Sequence, residues 1–255
     1  MDHLYIMSLD LNALLKDWPF EPGMLKVRKI TGVDGREKLQ MRVDLGVLQM
    51  EMTGRPDGSC PHGCESLLTY HQNRAALAEA AGDGYELSAE ECSELQQEGI
   101  QYYHRYVSLF QLNDYAGVVR DTQRNLDLFS FVDKHSQREE FVWNFQQFRP
   151  YVLMMNTRAK ASLLLSESKF NEAMREIESG RDAIVEFFQE SNFPELASKS
   201  SEVAFLEEWL QEVSEKRPRS KLEIMQREME SAIAKELYER AAELRDAIKM
   251  LKASK

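Results

Sequence analysis

The chain has 255 residues, 43% of them hydrophobic, which suffices for ordinary cores in one large domain or roughly two to three small ones. Its 43 acidic residues against 32 lysines and arginines give a net charge of −11, which argues against general affinity for nucleic acid, because binding phosphate needs a basic surface. Three cysteines, Cys60, Cys64 and Cys92, are too few and too odd in number for a disulfide framework and fit a reducing compartment.

The opening MDHLYIMSLDLNALLKDW carries acids at Asp2, Asp10 and Asp17 and no long apolar run. Neither a signal peptide nor a membrane span is therefore expected, and the cytoplasm is the expected location. From Leu25 to Thr53 the periodicity is two: Leu39, Met41 and Val43 alternate with Lys38, Gln40 and Arg42, and Leu48, Met50 and Met52 with Gln49, Glu51 and Thr53. This predicts a three-stranded antiparallel meander with a type I′ turn at Asp34-Gly35 and a second reversal at Leu45-Gly46. Its apolar face needs a cover, and the helix expected from Glu65 to Ala81, with His71 and Leu77 along it, is the nearest candidate.

Between meander and helix, Gly54 to Cys64 has the composition of a functional loop. Cys60, His62, Cys64 and the more distant His71 are metal-ligating types, but structural zinc sites usually use two cysteine pairs and this chain has one. The reading adopted is a turn on the sheet edge with small buried cysteines, and no metal or cofactor.

Ala80 to Tyr85, with Gly82 and Gly84, reads as a helix end and linker, closing a small α+β domain over residues 1–84. Ser88-Ala89-Glu90-Glu91 is a capping box that opens a helical domain over 85–215. Helices are expected at Cys92–Leu112, Tyr115–Val132, Arg138–Ser166, Phe170–Gln189 and Pro194–Val213, with Pro150 dividing or kinking the third. Ala161, Leu164, Phe170, Ala173 and Gly180 resemble a single tetratricopeptide unit, which Asn113 to Ala116 matches more loosely. Tyr115 and Phe170 lie too far apart for a regular array. Aromatic residues such as Tyr102, Tyr103, Tyr106, Phe148 and Tyr151 read mainly as core, with a peptide groove as the alternative. The fold class expected is α+β, predominantly α-helical.

No phosphate-binding loop, dinucleotide fingerprint, His-Glu-x-x-His or Gly-x-Ser-x-Gly is present, and the five histidines are scattered. No catalytic residue is assigned, and a non-enzyme is expected. The run from Glu215 to Lys221 is the main basic cluster and reads as a solvated hinge, with contact to phosphate or an acidic partner as the alternative. Ser220 is the expected N-cap of the next helix.

That helix opens the segment LEIMQREMESAIAKELYERAAELRDAIKML, from Leu222 to Leu251. Apolar residues at Leu222, Met225, Met229, Ala232 and Ile233, then at Ala241, Leu244, Ile248 and Leu251, write one helical face twice, with the bend at Glu236 to Glu239. Two helices of about fifteen residues have too little mass to bury both stripes, so a partner is expected. The order Met, Ala, then Glu-Leu-Tyr-Glu-Arg-Ala-Ala-Glu-Leu-Arg-Asp-Ala-Ile and Leu resembles the UVR motif of the excision-repair proteins UvrB and UvrC, of the Clp-type ATPase ClpC and of its adaptor McsA. Ala241 to Ile248 is its most specific part, and Tyr238 stands where the family usually has Phe.

The resemblance implies an interaction hairpin without repair chemistry. In it Leu222, Met229, Leu237, Tyr238, Leu244 and Ile248 would pack the hairpin or its partner, and Arg245 and Asp246 would make polar contacts at the bend or interface. McsA-type adaptors carry two Cys-x-x-Cys pairs, which this chain lacks. The function expected is an adaptor docking to a Clp-type ATPase, another UVR protein or a second copy of itself, with only indirect contact to nucleic acid and none to membranes. The alternative is an accessory role in nucleotide excision repair beside UvrB-like or UvrC-like partners.

Overall fold

A computed structural model describes residues 10–219 and 221–253. The first nine residues, where no signal peptide is expected, and Ser220, the expected cap, lie outside them. The chain divides into two compact units, Met1–Leu210 and Gln211–Lys255. As expected, it is α+β and mainly helical.

After a single turn α1 (Asn12–Leu15), strands β1 (Val27–Thr31), β2 (Glu37–Val43) and β3 (Gly46–Glu51) form an antiparallel sheet in the order β1-β2-β3. Leu39 pairs with Lys29 on one side and Met50 on the other. The alternation puts Leu39, Met41 and Met50 inside. The first turn is not the expected type I′. Only Gly35 has a left-handed φ, +75°. Its N–H donates to the Gly32 carbonyl at 3.0 Å, while the Gly32 N–H donates to the Arg36 carbonyl at 2.8 Å. This is a three-residue turn closed by a left-handed glycine. Asp34 stays at negative φ, and its carboxylate accepts the Arg36 amide at 3.1 Å.

A 3-10 turn (Pro61–Gly63) leads to α2 (Leu67–Ala81), followed by α3 (Ala89–Gln111), α4 (Tyr115–His135), α5 (Glu139–Gln146), α6 (Arg149–Ser166), α7 (Phe170–Glu190), α8 (Pro194–Ala197) and α9 (Ser201–Lys216). The helix lying on β2 is α3, not α2. Leu67, Leu68 and Ala75 of α2 instead join the helical core with Leu95, Leu128 and Val132, and Leu77 on its far side is exposed. The Ser88 capping box forms with both of its hydrogen bonds. The helix expected from Arg138 to Ser166 is two helices, because Pro150 sits in the first turn of α6, where its missing N–H costs no helical bond. The helix expected from Pro194 is likewise broken at residues 198–200.

The corners α3–α4, α6–α7, α7–α8 and α10 (Lys221–Ala234) to α11 (Tyr238–Ala253) are built alike. Asn113, Ser168, Asn192 and Glu236 take left-handed φ of 58°, 59°, 61° and 59°. The next N–H then reaches back to the last helical turn: Asp114 to Leu109, Lys169 to Leu164, Phe193 to Phe188 and Leu237 to Ala232, each at 2.9 Å. These are Schellman caps, which satisfy carbonyls that a helix end leaves open. Where α6 and α7 pack together, Ala161, Ala173 and Ile177 are fully buried, and a side chain on Gly180 would overlap Thr157.

Candidate functional site

The hairpin of α10 and α11 is the segment singled out by its sequence, and its two helices pack on each other. Ala232, Ala241, Leu244 and Ile248 are only 5–8% exposed. Ala241, Leu244 and Ile248 recur at three-four spacing, so one face of α11 turns inward, and two small alanines let the helices approach. Leu222, Met225 and Met229 are half-buried. The core of the stripe is therefore buried, contrary to the expectation that so short a hairpin leaves it open.

Ile224 and Met250, 45% and 77% exposed, lie far from the bend, and three further apolar side chains stay open together at it. Ile233, Leu237 and Tyr238 are 51%, 54% and 68% exposed. They are the last-turn residue of α10, the residue after the left-handed Glu236, and the first residue of α11. The bend itself is Lys235 to Leu237, one residue earlier than expected, and Tyr238 is already helical. The six apolar site residues thus divide. Leu237 and Tyr238 are offered outward, Leu244 and Ile248 hold the hairpin, and Leu222 and Met229 lie between. Ile233, read as part of the stripe, belongs to the open tip instead.

Arg245 and Asp246 are not at the bend. They lie about two turns into α11, exposed, with Arg245 Nε donating to Asp246 Oδ1 at 2.9 Å. Arg240 contacts Glu243 at 3.0 Å and, across the hairpin, Glu228 at 4.0 Å. Such exposed pairs contribute little to stability. In the basic run, Arg217 pairs with Glu223, while Lys216 and Arg219 are exposed.

The loop of thiols and histidines is dispersed. Cys60 is exposed rather than buried, Cys64 is half-buried and Cys92 is buried far from both in sequence. His62 stacks on Tyr70, with ring centroids 4.1 Å apart. His71 is buried, its Nδ1 2.6 Å from the Tyr85 hydroxyl. Among the described residues, no three His, Cys, Asp or Glu side chains are placed to hold a metal ion.

A buried ionic network escaped the sequence reading. Glu98 of α3 is fully buried and caps α2, its Oε2 accepting the Leu67 N–H at 2.7 Å and its Oε1 the Leu68 N–H at 3.2 Å. Arg124 pairs with the same carboxylate, and Arg55 Nε lies 3.1 Å from it. About two helical turns further along α3, Arg105 donates to both oxygens of Asp121, at 2.6 and 2.8 Å. It also donates to the carbonyls of Glu51 and Gly54, at 3.1 and 2.8 Å, and Arg120 donates to that of Met52 at 3.0 Å. These groups clamp the loop after β3 onto α3 and α4. Their acceptors include three backbone carbonyls from the end of β3 into that loop. The signal available in sequence was Arg105 set among Tyr102, Tyr106 and Leu109 on an apolar face.

Among the described residues, no helix is long and apolar enough to cross a membrane. No curated protein and no solved structure matches the chain. The family match falls on the hairpin and supports the interaction class of function: residues 219–254 match the UvrB/uvrC motif.

Proposed function

We propose that the protein is a non-enzymatic intracellular adaptor that docks through the apolar tip of its C-terminal hairpin onto a hairpin of the same type or a Clp-type ATPase. The observation that carries this reading is the division of the stripe. Leu244 and Ile248 are spent on folding the hairpin, while Ile233, Leu237 and Tyr238 remain open together at the bend, apart from the separately exposed Ile224 and Met250. Clustered exposed apolar side chains with an aromatic among them are what an interface uses as anchors. The motif match supports association as the role of this segment.

The test is co-purification with the full chain beside a Leu237→Asp/Tyr238→Asp variant. The variant should keep its far-UV circular dichroism and lose capture of UVR-containing proteins or Clp-type ATPases. Unchanged capture would remove the basis of the proposal. Leu244→Asp and Ile248→Asp are not equivalent probes, since they should cost the hairpin its helicity.

The second reading, an accessory role in nucleotide excision repair, is favoured by the motif's description and by the exposed Lys216 and Arg219 beside it. It predicts capture of UvrB-like or UvrC-like proteins, and DNA binding that weakens with salt and with Lys216→Ala/Arg219→Ala. In solution, sedimentation of the full chain distinguishes a second copy from a heterologous partner.

A further inference from the structure

The Met1–Leu210 unit contains a cavity of about 620 Å³ lined by residues of α3, α4, α5, α6 and α9, within the usual size range for small-ligand sites. Its floor includes Phe129 and Phe145, both buried, and its open side includes Tyr103, 39% exposed, and Phe148, 51% exposed. Tyr103 stands at 88° to Tyr106, with centroids 5.5 Å apart, and at 57° to Tyr151, with centroids 6.3 Å apart. Three phenol rings therefore make a corner rather than a flat stack.

The polar groups in this cavity are acceptors or neutral. Glu202 is the charged residue of its lining, and among the described residues no lysine or arginine lines it. Ser200 Oγ donates to Glu202 Oε2 at 2.8 Å, which leaves Oε1 without a partner among the described residues. Tyr106 is 1% exposed and no described residue hydrogen-bonds its hydroxyl, whose oxygen keeps a small solvent contact at the cavity wall. A ligand N–H would take the place of water on this hydroxyl. Burial also lowers the pKa of His104, so this imidazole adds no positive charge at neutral pH. Arg158 lies near Tyr151 but is already held between the rings of Phe110 and Phe205, 4.4 and 4.6 Å from their centroids.

We infer that this cavity is a binding site for an organic cation bearing N–H groups, an alkylammonium or a guanidinium. The faces of aromatic rings carry negative potential and attract such cations, and a lone carboxylate with no opposing base sets the sign of the charge. An anion would meet Glu202. A purely apolar ligand would cover the Tyr106 hydroxyl and offer it no hydrogen bond. The inference concerns the unit before the hairpin and stands apart from the docking proposal.

The experiment is a titration of the full chain, at constant ionic strength, with n-butylammonium, n-butylguanidinium and the neutral n-pentanol, followed by the tyrosine ring signals in ¹H–¹³C spectra. Both cations should shift ring signals saturably, with pentanol needing about tenfold higher concentration. Glu202→Gln and, separately, Tyr103→Leu should each weaken cation binding by roughly threefold or more while the pentanol response to Glu202→Gln stays unchanged. Acetyl-Gly-Arg-Gly-amide binding more tightly than n-butylguanidinium assigns the cation to a polypeptide side chain, and weaker or equal binding assigns it to a free amine or guanidine. Pentanol acting at the same concentrations as the cations, no saturable shift from either cation, or Glu202→Gln leaving cation binding unchanged would overturn the inference.

Discussion

Replacing Asp121 with alanine leaves Arg105 as a cation buried to 1% exposure without its counter-charge. Breaking a buried pair from one side typically costs about 3–5 kcal/mol, because the remaining charge is desolvated and unpaired. Arg105 would keep the carbonyls of Glu51 and Gly54, at 3.1 and 2.8 Å, which places the expected loss at the lower end, about 3 kcal/mol. The second contact of Asp121, with Arg120 at 2.8 Å, adds little, since Arg120 is 43% exposed and is solvated when released.

Trp18, Trp143 and Trp209 all precede residue 211, so urea unfolding followed by tryptophan fluorescence reports the first unit alone. With a urea slope of about 2 kcal/mol per molar, the midpoint should fall by about 1.5 M. The companion Arg105→Met/Asp121→Leu variant should lose much less, as apolar pairs often replace buried ion pairs at small cost. A loss below about 1 kcal/mol for Asp121→Ala would refute the clamp and mean that Arg105 reaches solvent when its partner is removed.

Gly180→Ala should destabilise the same unit by roughly 1–2 kcal/mol, the overlap with Thr157 outweighing the helix preference of alanine. The loss should shrink when Thr157 is trimmed to alanine in a double-mutant cycle. Glu236→Gly should stabilise the hairpin by about 0.5–1 kcal/mol, read as a higher melting temperature of α10–α11 helicity, because glycine accepts φ of 59° without the Cβ penalty. Burial holds the pKa of His71 below its ordinary 6.5, against the opposing pull of Glu91. The unfolded chain therefore takes up a proton first as pH falls, and this contribution to stability, present above the unfolded value of 6.5, should decline as pH falls through and below it. His104, also lowered by burial, adds to the slope, and His71→Gln should flatten it. A midpoint that rises on acidification below pH 6.5 would contradict the assignment.

Much of the architecture was legible because local periodicity carries it. Alternation at Leu39, Met41 and Met50 marks a half-buried strand wherever it occurs, and the recurrence of Ala241, Leu244 and Ile248 marks a helical face. Ser88 and Glu91 form their capping box from residues three apart, so no distant partner is needed. The turn at Gly35 was legible as a turn but not in type, since its geometry depends on Asp34 accepting the Arg36 amide and remaining at negative φ.

Tertiary structure decided what these faces meet. Apolar burial is non-directional, so a stripe does not name its neighbour, and the sheet took α3 where the nearest helix in sequence was α2. Glu98 looks like one acid among 43 until Leu67 and Leu68, some thirty residues earlier, bring it their amide protons. At the C-terminal hairpin the sequence determined the two helices and their apolar residues. Only their mutual approach, permitted by Ala232 and Ala241, divided those residues into a buried Leu244 and Ile248 and an open Ile233, Leu237 and Tyr238. A side chain's type is local, whereas its exposure depends on which helix lies against it.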